Sequence, residues 1–128
     1  MSMTKEQFNR LREGLLYMSE TDAPLTYYEL VQEKSQQWPP STVGQFLQLI
    51  GEDPAAPVEK LTPEKFFRDL RPGNEDREDQ VAALRKAMTE ELKSLEGFRV
   101  GEIQIKIFVL GKGDTGNVRG LQTLSVET

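Results

Sequence analysis

The chain has no cysteine and no histidine. Without cysteine there is no disulfide framework and no thiolate site. Without histidine the commonest general base and the usual zinc ligand are both missing, which weighs against an enzyme. Basic residues are outnumbered, 16 Lys and Arg against 21 Asp and Glu, giving a net charge of -5 and a pI near 4.9. Direct binding to nucleic acid or to an anionic membrane needs a basic face, so this balance argues against both. It suits a partner that carries a basic groove. No apolar run is long enough to span a bilayer. The start, Met1-Ser2-Met3-Thr4-Lys5-Glu6, lacks a basic segment followed by an apolar core, so the expectation is a cytoplasmic protein without a signal peptide.

What is present is enough for one core. A chain of 128 residues is expected to form a single domain, 1–128, that buries roughly two-thirds of its unfolded surface. The most telling stretch is 97–128. From Glu102 onward apolar and polar residues alternate, placing Ile103, Ile105, Ile107 and Val109 on one face. The other face begins with Glu102, Gln104 and Lys106 and ends with Phe108 and Leu110. Period-two alternation in β-branched residues predicts a strand. The change to apolar residues on both faces predicts that it runs from a half-solvated region into a doubly covered one. Gly111, Gly113, Asp114, Gly116 and Asn117 supply a hairpin turn. A second strand then carries the chain to Thr128, which places a carboxylate at a sheet end; an ordered terminus of that kind needs a sheet to hold it.

Upstream, Thr4 and Gln7 fit a capping box. Phe8, Leu11, Leu15 and Met18 at helical spacing predict a first helix reaching about Met18. Ser19 and Glu20 close it, and Asp22-Ala23-Pro24 forms a turn. Tyr27, Tyr28, Leu30 and Val31 predict a strand over 25–31. The polar stretch 33–40, ending in two prolines, reads as a loop and holds Trp38, the only tryptophan. Ser41 or Thr42 caps a helix bearing Val43, Phe46, Leu47 and Ile50, and Gly51 ends it. Val58-Glu59-Lys60-Leu61 is expected as a short edge strand. Thr62-Pro63-Glu64 starts another helix, with Phe66, Phe67 and Leu70 inward, and Arg71-Pro72-Gly73 breaks it. Asn74 caps the longest helix, with Glu75 and Asp76 in its first turn. Its stripe is Val81, Leu84, Met88, Leu92 and Leu95, and Gly97 terminates it. These elements predict an α+β fold in which one mainly antiparallel sheet carries helices on both faces.

Few constellations suggest chemistry. The glycines of 111–116 lack nucleotide-binding spacing and lie between strands, not before a helix. The acidic run Glu75, Asp76, Glu78 and Asp79 is a solvated face with a helix-dipole reason to exist. Glu20 and Asp22 in a turn, and Glu127 and Thr128 in a tail, read by themselves as surface groups.

Two segments taken together change that reading. Gly14-Leu15-Leu16-Tyr17-Met18-Ser19-Glu20, followed by Pro24, resembles a segment of the cyanobacterial nuclease A inhibitor family. So does Gly101-Glu102-Ile103 with its strand, Gly-rich turn, Gly116-Asn117, Gly120 and closing Val126-Glu127-Thr128. The order of elements between them is similar, including Phe66-Phe67 before the long helix. The resemblance implies a three-layer α/β/α sandwich that inhibits a sugar-nonspecific DNA/RNA nuclease carrying magnesium in a ββα-metal site. It further implies that Glu20 and the terminal Thr128 engage that magnesium at the partner's active site. Asp22 is placed beside Glu20. Glu127 ranks below Thr128 because strand alternation turns it away. In the family a tryptophan and a glutamine before the long helix also meet the nuclease; here that loop reads Arg71-Pro72-Gly73-Asn74-Glu75 and has neither. Trp38 lies elsewhere and is no replacement.

The resulting expectation is a monomeric, non-enzymatic inhibitor of a nonspecific endonuclease, with no cofactor of its own. An adaptor domain of the same fold with a non-nuclease partner is the alternative. A hydrolase built on Glu20 and Asp22 is weakest, because no nucleophile with an adjacent base accompanies them.

Overall fold

A computed structural model describes residues 4–17, 22–72 and 79–126. The first helix, α1, spans Lys5–Arg12 and begins with the expected capping box between Thr4 and Gln7. It stops well short of Met18. Gly14 takes a left-handed φ of 80°, a conformation only glycine adopts cheaply, and Leu15–Tyr17 then forms strand β1. Leu15 and Tyr17 are both buried, two residues apart on one side of the strand. The carbonyls that end α1 are taken up by Gln80 Nε2, which donates to Leu11 O at 2.8 Å and to Glu13 O at 2.6 Å. Helix ends leave such acceptors orphaned unless a side chain or water meets them.

The chain continues through β2 (Ala23–Pro24), where a turn is expected from the sequence, and β3 (Thr26–Glu29). The stretch expected as a loop instead starts with a short helix, α2 (Gln32–Ser35), and buries Trp38 to 5% exposure. Helix α3 (Val43–Ile50) is capped by Thr42 Oγ1 and ends at Gly51, as the residues predict. Next come β4 (Val58–Leu61) and α4 (Pro63–Arg68), the latter capped by Thr62. Leu70 falls outside α4: Leu70–Pro72 forms strand β5.

Helix α5 covers Gln80–Glu91, and Asn74, Glu75 and Asp76 lie outside the described residues. Its apolar stripe ends at Met88. Leu92 is already extended, and Leu95 and Gly97 belong to a long strand, β6 (Lys93–Val100), not to the helix. Gly97 has a different task from helix termination. A Cβ built there would lie 2.3 Å from Leu61 O, so only glycine lets β4 pair this closely with β6. Strands β7 (Gln104–Lys112) and β8 (Val118–Val126) form the expected hairpin.

Two sheets result. The larger is five-stranded and antiparallel, in the order β3-β8-β7-β6-β4, with β4 at one edge as the sequence predicts. The smaller is three-stranded, in the order β2-β1-β5, and was not foreseen. The fold is therefore α+β, with a mainly antiparallel five-stranded sheet, a small sheet and several helices.

Alternation along β7 feeds two separate cores. Ile105, Ile107 and Val109 join Phe8 of α1, Phe66 and Phe67 of α4, and Leu84 and Met88 of α5. Phe108 and Leu110 join Phe98, Trp38, and Phe46 and Leu47 of α3. In the second core Phe46 stacks on Phe98 with centroids 3.8 Å apart, and Trp38 meets both rings edge-on. Trp38 also donates Nε1–H to Ser94 O at 2.9 Å. Ser94 has a left-handed φ of 53° and lies in an irregularity of the β6–β7 ladder, between Lys93 and Glu96. The indole thus satisfies a carbonyl within a bulge. No described helix is long and apolar enough to cross a membrane.

Candidate functional site

Of the four residues expected at the site, only Asp22 is among those described; Glu20, Glu127 and Thr128 lie outside them. Their flanking residues are well anchored, and the flanks converge. Strand β3 is antiparallel to β8, with Thr26 opposite Gln122. Walking back from Thr26 toward Asp22 therefore means walking forward along β8 toward Val126. Thr123 Oγ1 donates to Pro24 O at 2.9 Å, which holds that correspondence past the end of the ladder. Strand β1 is antiparallel to β2, pairing Tyr17 with Ala23, so it leaves the small sheet toward the same end. Tyr17, Asp22 and Val126, which border 18–21 and 127–128, thus share one end of the molecule.

Each flank is held for a local reason. Tyr17 stacks on Phe66 with centroids 5.6 Å apart, and its hydroxyl donates to Asp69 Oδ2 at 3.4 Å. Arg12 donates through Nη1 to Leu25 O at 3.1 Å, tying α1 to the chain just after β2. Thr26 Oγ1 donates to Gln122 O at 3.1 Å. On β8, Thr123 and Ser125 turn into the first core at 4% and 2% exposure. Asp22 itself is exposed. Among the described residues no group of three or more Asp and Glu is placed to hold a metal ion. The acidic run at 75–79 contributes only Asp79 to the described structure, at the N-cap of α5 without a side-chain cap bond.

The connection between β6 and β7 lies at this same end, because Gln104 is opposite Val126. Here one expectation needs correcting. Ile103 does not extend the buried face of β7: it precedes the first ladder pair and is 61% exposed. Leu124, across from Lys106, is 46% exposed. Sequence reasoning missed both as surface groups. The half-solvated face that Glu102, Gln104 and Lys106 predict is present, with Gln104 and Lys106 exposed, and Leu124 stands opposite Lys106 on it.

The family described as nuclease A inhibitor-like protein matches the chain over residues 2–128. A comparison with curated proteins finds no match.

Proposed function

The chain belongs to the nuclease A inhibitor-like family, and from that premise we propose that it inhibits a sugar-nonspecific, magnesium-dependent DNA/RNA nuclease of the ββα-metal type by occluding its active site. Glu20 and Thr128 direct oxygen atoms at the partner's magnesium, with Asp22 and Glu127 beside them. Magnesium takes hard oxygen ligands, and in such enzymes it meets substrate phosphate. An oxygen donor held at that place occupies the phosphate's position. A net charge of -5 steers the inhibitor toward a groove that must be basic to hold nucleic acid. The chain itself has no catalytic task, no cofactor and no direct contact with nucleic acid. It acts as a cytoplasmic monomer, a single domain over 1–128 built as a three-layer α/β/α sandwich.

The observation that supports this reading best is the convergence of the flanks, with Tyr17, Asp22 and Val126 at one end of the sheet. Rigid flanks lower the entropy lost on docking. The test is a titration against the ββα-metal nuclease encoded in the same genome, followed by Glu20→Ala and by deletion of Thr128. Each variant is expected to weaken inhibition by about tenfold or more while unfolding as the parent does. Full nuclease activity at micromolar parent protein would count against the function. Undiminished inhibition by both variants would count against the mechanism alone.

A further inference from the structure

Arg119, on β8, is the one charged side chain buried among the described residues, at 9% exposure. Its Cζ lies 5.2 Å from the centroid of the Phe8 ring, and its guanidinium hydrogen-bonds the Tyr27 hydroxyl. Among the described residues it has no ion-pair partner. Glu29, its neighbour across the β3–β8 ladder, is exposed and accepts instead from Asn117 Nδ2 at 3.5 Å. Arg119 Nε is enclosed and meets no acceptor among the described residues. A ring face and a phenol offset only part of the cost of burying a cation, which a counter-charge ordinarily settles. The edge left over faces the hairpin turn. A Cβ built at Gly113 would lie 3.4 Å from Arg119 Nε and 3.7 Å from Nη2, with Asn117 O 3.6 Å away. Gly113 has no left-handed φ, so its backbone does not demand glycine. The missing side chain instead leaves room for one small atom between the turn and the guanidinium edge.

We propose that Arg119 and Gly113 form a binding site for inorganic phosphate. Arg119 pairs with Gly111 and Val126 with Gln104, at opposite ends of the β7–β8 ladder, so this site lies apart from the metal-directed end and does not depend on it. Nε–H and Nη2–H are the parallel donors that an oxyanion takes bidentately. Asn117 O, beside the niche, decides which oxyanion. A carbonyl repels an ionised carboxylate oxygen, whereas a phosphate hydroxyl accepts from the guanidinium and donates to Asn117 O. Inorganic phosphate keeps such a hydroxyl at neutral pH; sulfate has none, and a phosphate ester has largely lost its last proton. A second cation stands close by, because α1 brings Lys5 Nζ to 5.7 Å from the centroid of the same Tyr27 ring. Admitting the oxygen requires the turn to ease outward, within the backbone adjustment of about 1 Å that is ordinary on binding. The net charge of -5 opposes any anion, but salt confines that repulsion to about 8 Å at physiological ionic strength.

The test titrates the full chain with sodium phosphate at neutral pH and constant ionic strength, following the Arg119 Nε–H resonance by NMR. A saturable shift with a Kd of about 1 mM is expected. Gly113→Ala puts a methyl group where the oxygen enters. It is expected to weaken binding at least about tenfold, with a thermal midpoint in phosphate-free buffer no lower than the parent's. Arg119→Lys keeps the charge and loses the fork, with the same expected loss; should it fail to fold, Gly113→Ala carries the test alone. Lys60→Gln alters a lysine paired elsewhere, with Glu96, and is expected to bind within about twofold of the parent. An Nε–H resonance that phosphate does not move would overturn the inference. So would a Gly113→Ala variant that binds like the parent, or an equal response to sulfate or methyl phosphate.

Discussion

The two faces of the β7–β8 ladder are finished differently. On one, burial continues through Ile105 and Ser125 to the last described rows; on the other, it stops at Phe108. The first face is closed by three helices and the small sheet, the second by α3 and a cluster of aromatic rings set toward the opposite end. A strand covered on both sides gives stability and nothing else. A strand covered on one side keeps its shape and still offers a surface. The end that gathers the flanks of the candidate site is built in the second way.

Substitutions can break this comparison, and the largest effect belongs to the aromatic half. Phe46→Ala removes a ring that is fully buried and stacked on Phe98, and is expected to cost about 3–5 kcal/mol in chemical denaturation. Inhibition measured well below the new midpoint should be unchanged, because the lesion lies away from the candidate end. Thr123→Val is next. It keeps the shape of the buried face and removes the bond to Pro24 O, with an expected cost of about 1–3 kcal/mol. Here inhibition should fall along with stability, since this bond ties β2 to β8. Loss of stability with inhibition intact would separate the small sheet from function. Leu124→Arg, on the open front, should move stability by no more than about 0.5 kcal/mol; a larger loss would mean that this face is more closed than its exposure indicates.

The smallest effect is confined to alkaline pH. Burial pushes the Tyr27 phenol above its ordinary 10.0, with Arg119 pulling the other way and Glu29 adding to the rise. Burial, then Glu52, raises Tyr28 in the same direction. A phenol with a raised pKa in the folded state binds its proton more tightly there than in the unfolded chain. Its stabilising contribution is complete below pH 10 and is lost as pH rises through the folded value. Tyr27→Phe and Tyr28→Phe should therefore flatten the fall in stability above pH 10 and leave the pH dependence of stability in the neutral range unchanged. Denaturant titrations across that range, with tyrosinate absorbance, check the sign.

Local chemistry made several elements legible. The capping box at Thr4 and Gln7, the Thr42 cap with Gly51, the Thr62-Pro63 start and the β7–β8 hairpin each announce themselves within a few residues. What escaped notice depends on distant partners. Strand β1 is three residues long and is specified by pairing Tyr17 with Leu70, so Leu15 looks like the next turn of α1 until β5 is in place. Strand β6 looks like a continuation of α5 for the same reason. Leu92 and Leu95 extend the helical period, and only pairing with β4 and β7 makes this segment a strand. Tertiary pairing overrode local period in both places. At the candidate site, Asp22 and the flanks can be placed, whereas Glu20, Glu127 and Thr128 rest on the sequence.

The indole bound to Ser94 O has a practical corollary. Ser94 lies beside Lys93, which pairs with Lys112, whereas Gln104 at the other end of β7 pairs with Val126. Nine residues of β7 put roughly 26 Å between these ends. As the chain's only tryptophan, Trp38 is a built-in fluorophore that reports melting of the aromatic half and is blind to docking at the far end. Any change in tryptophan emission beyond the sum of the two proteins' separate signals would thus originate in the nuclease's own indoles, with the chain adding only a background that a blank titration subtracts.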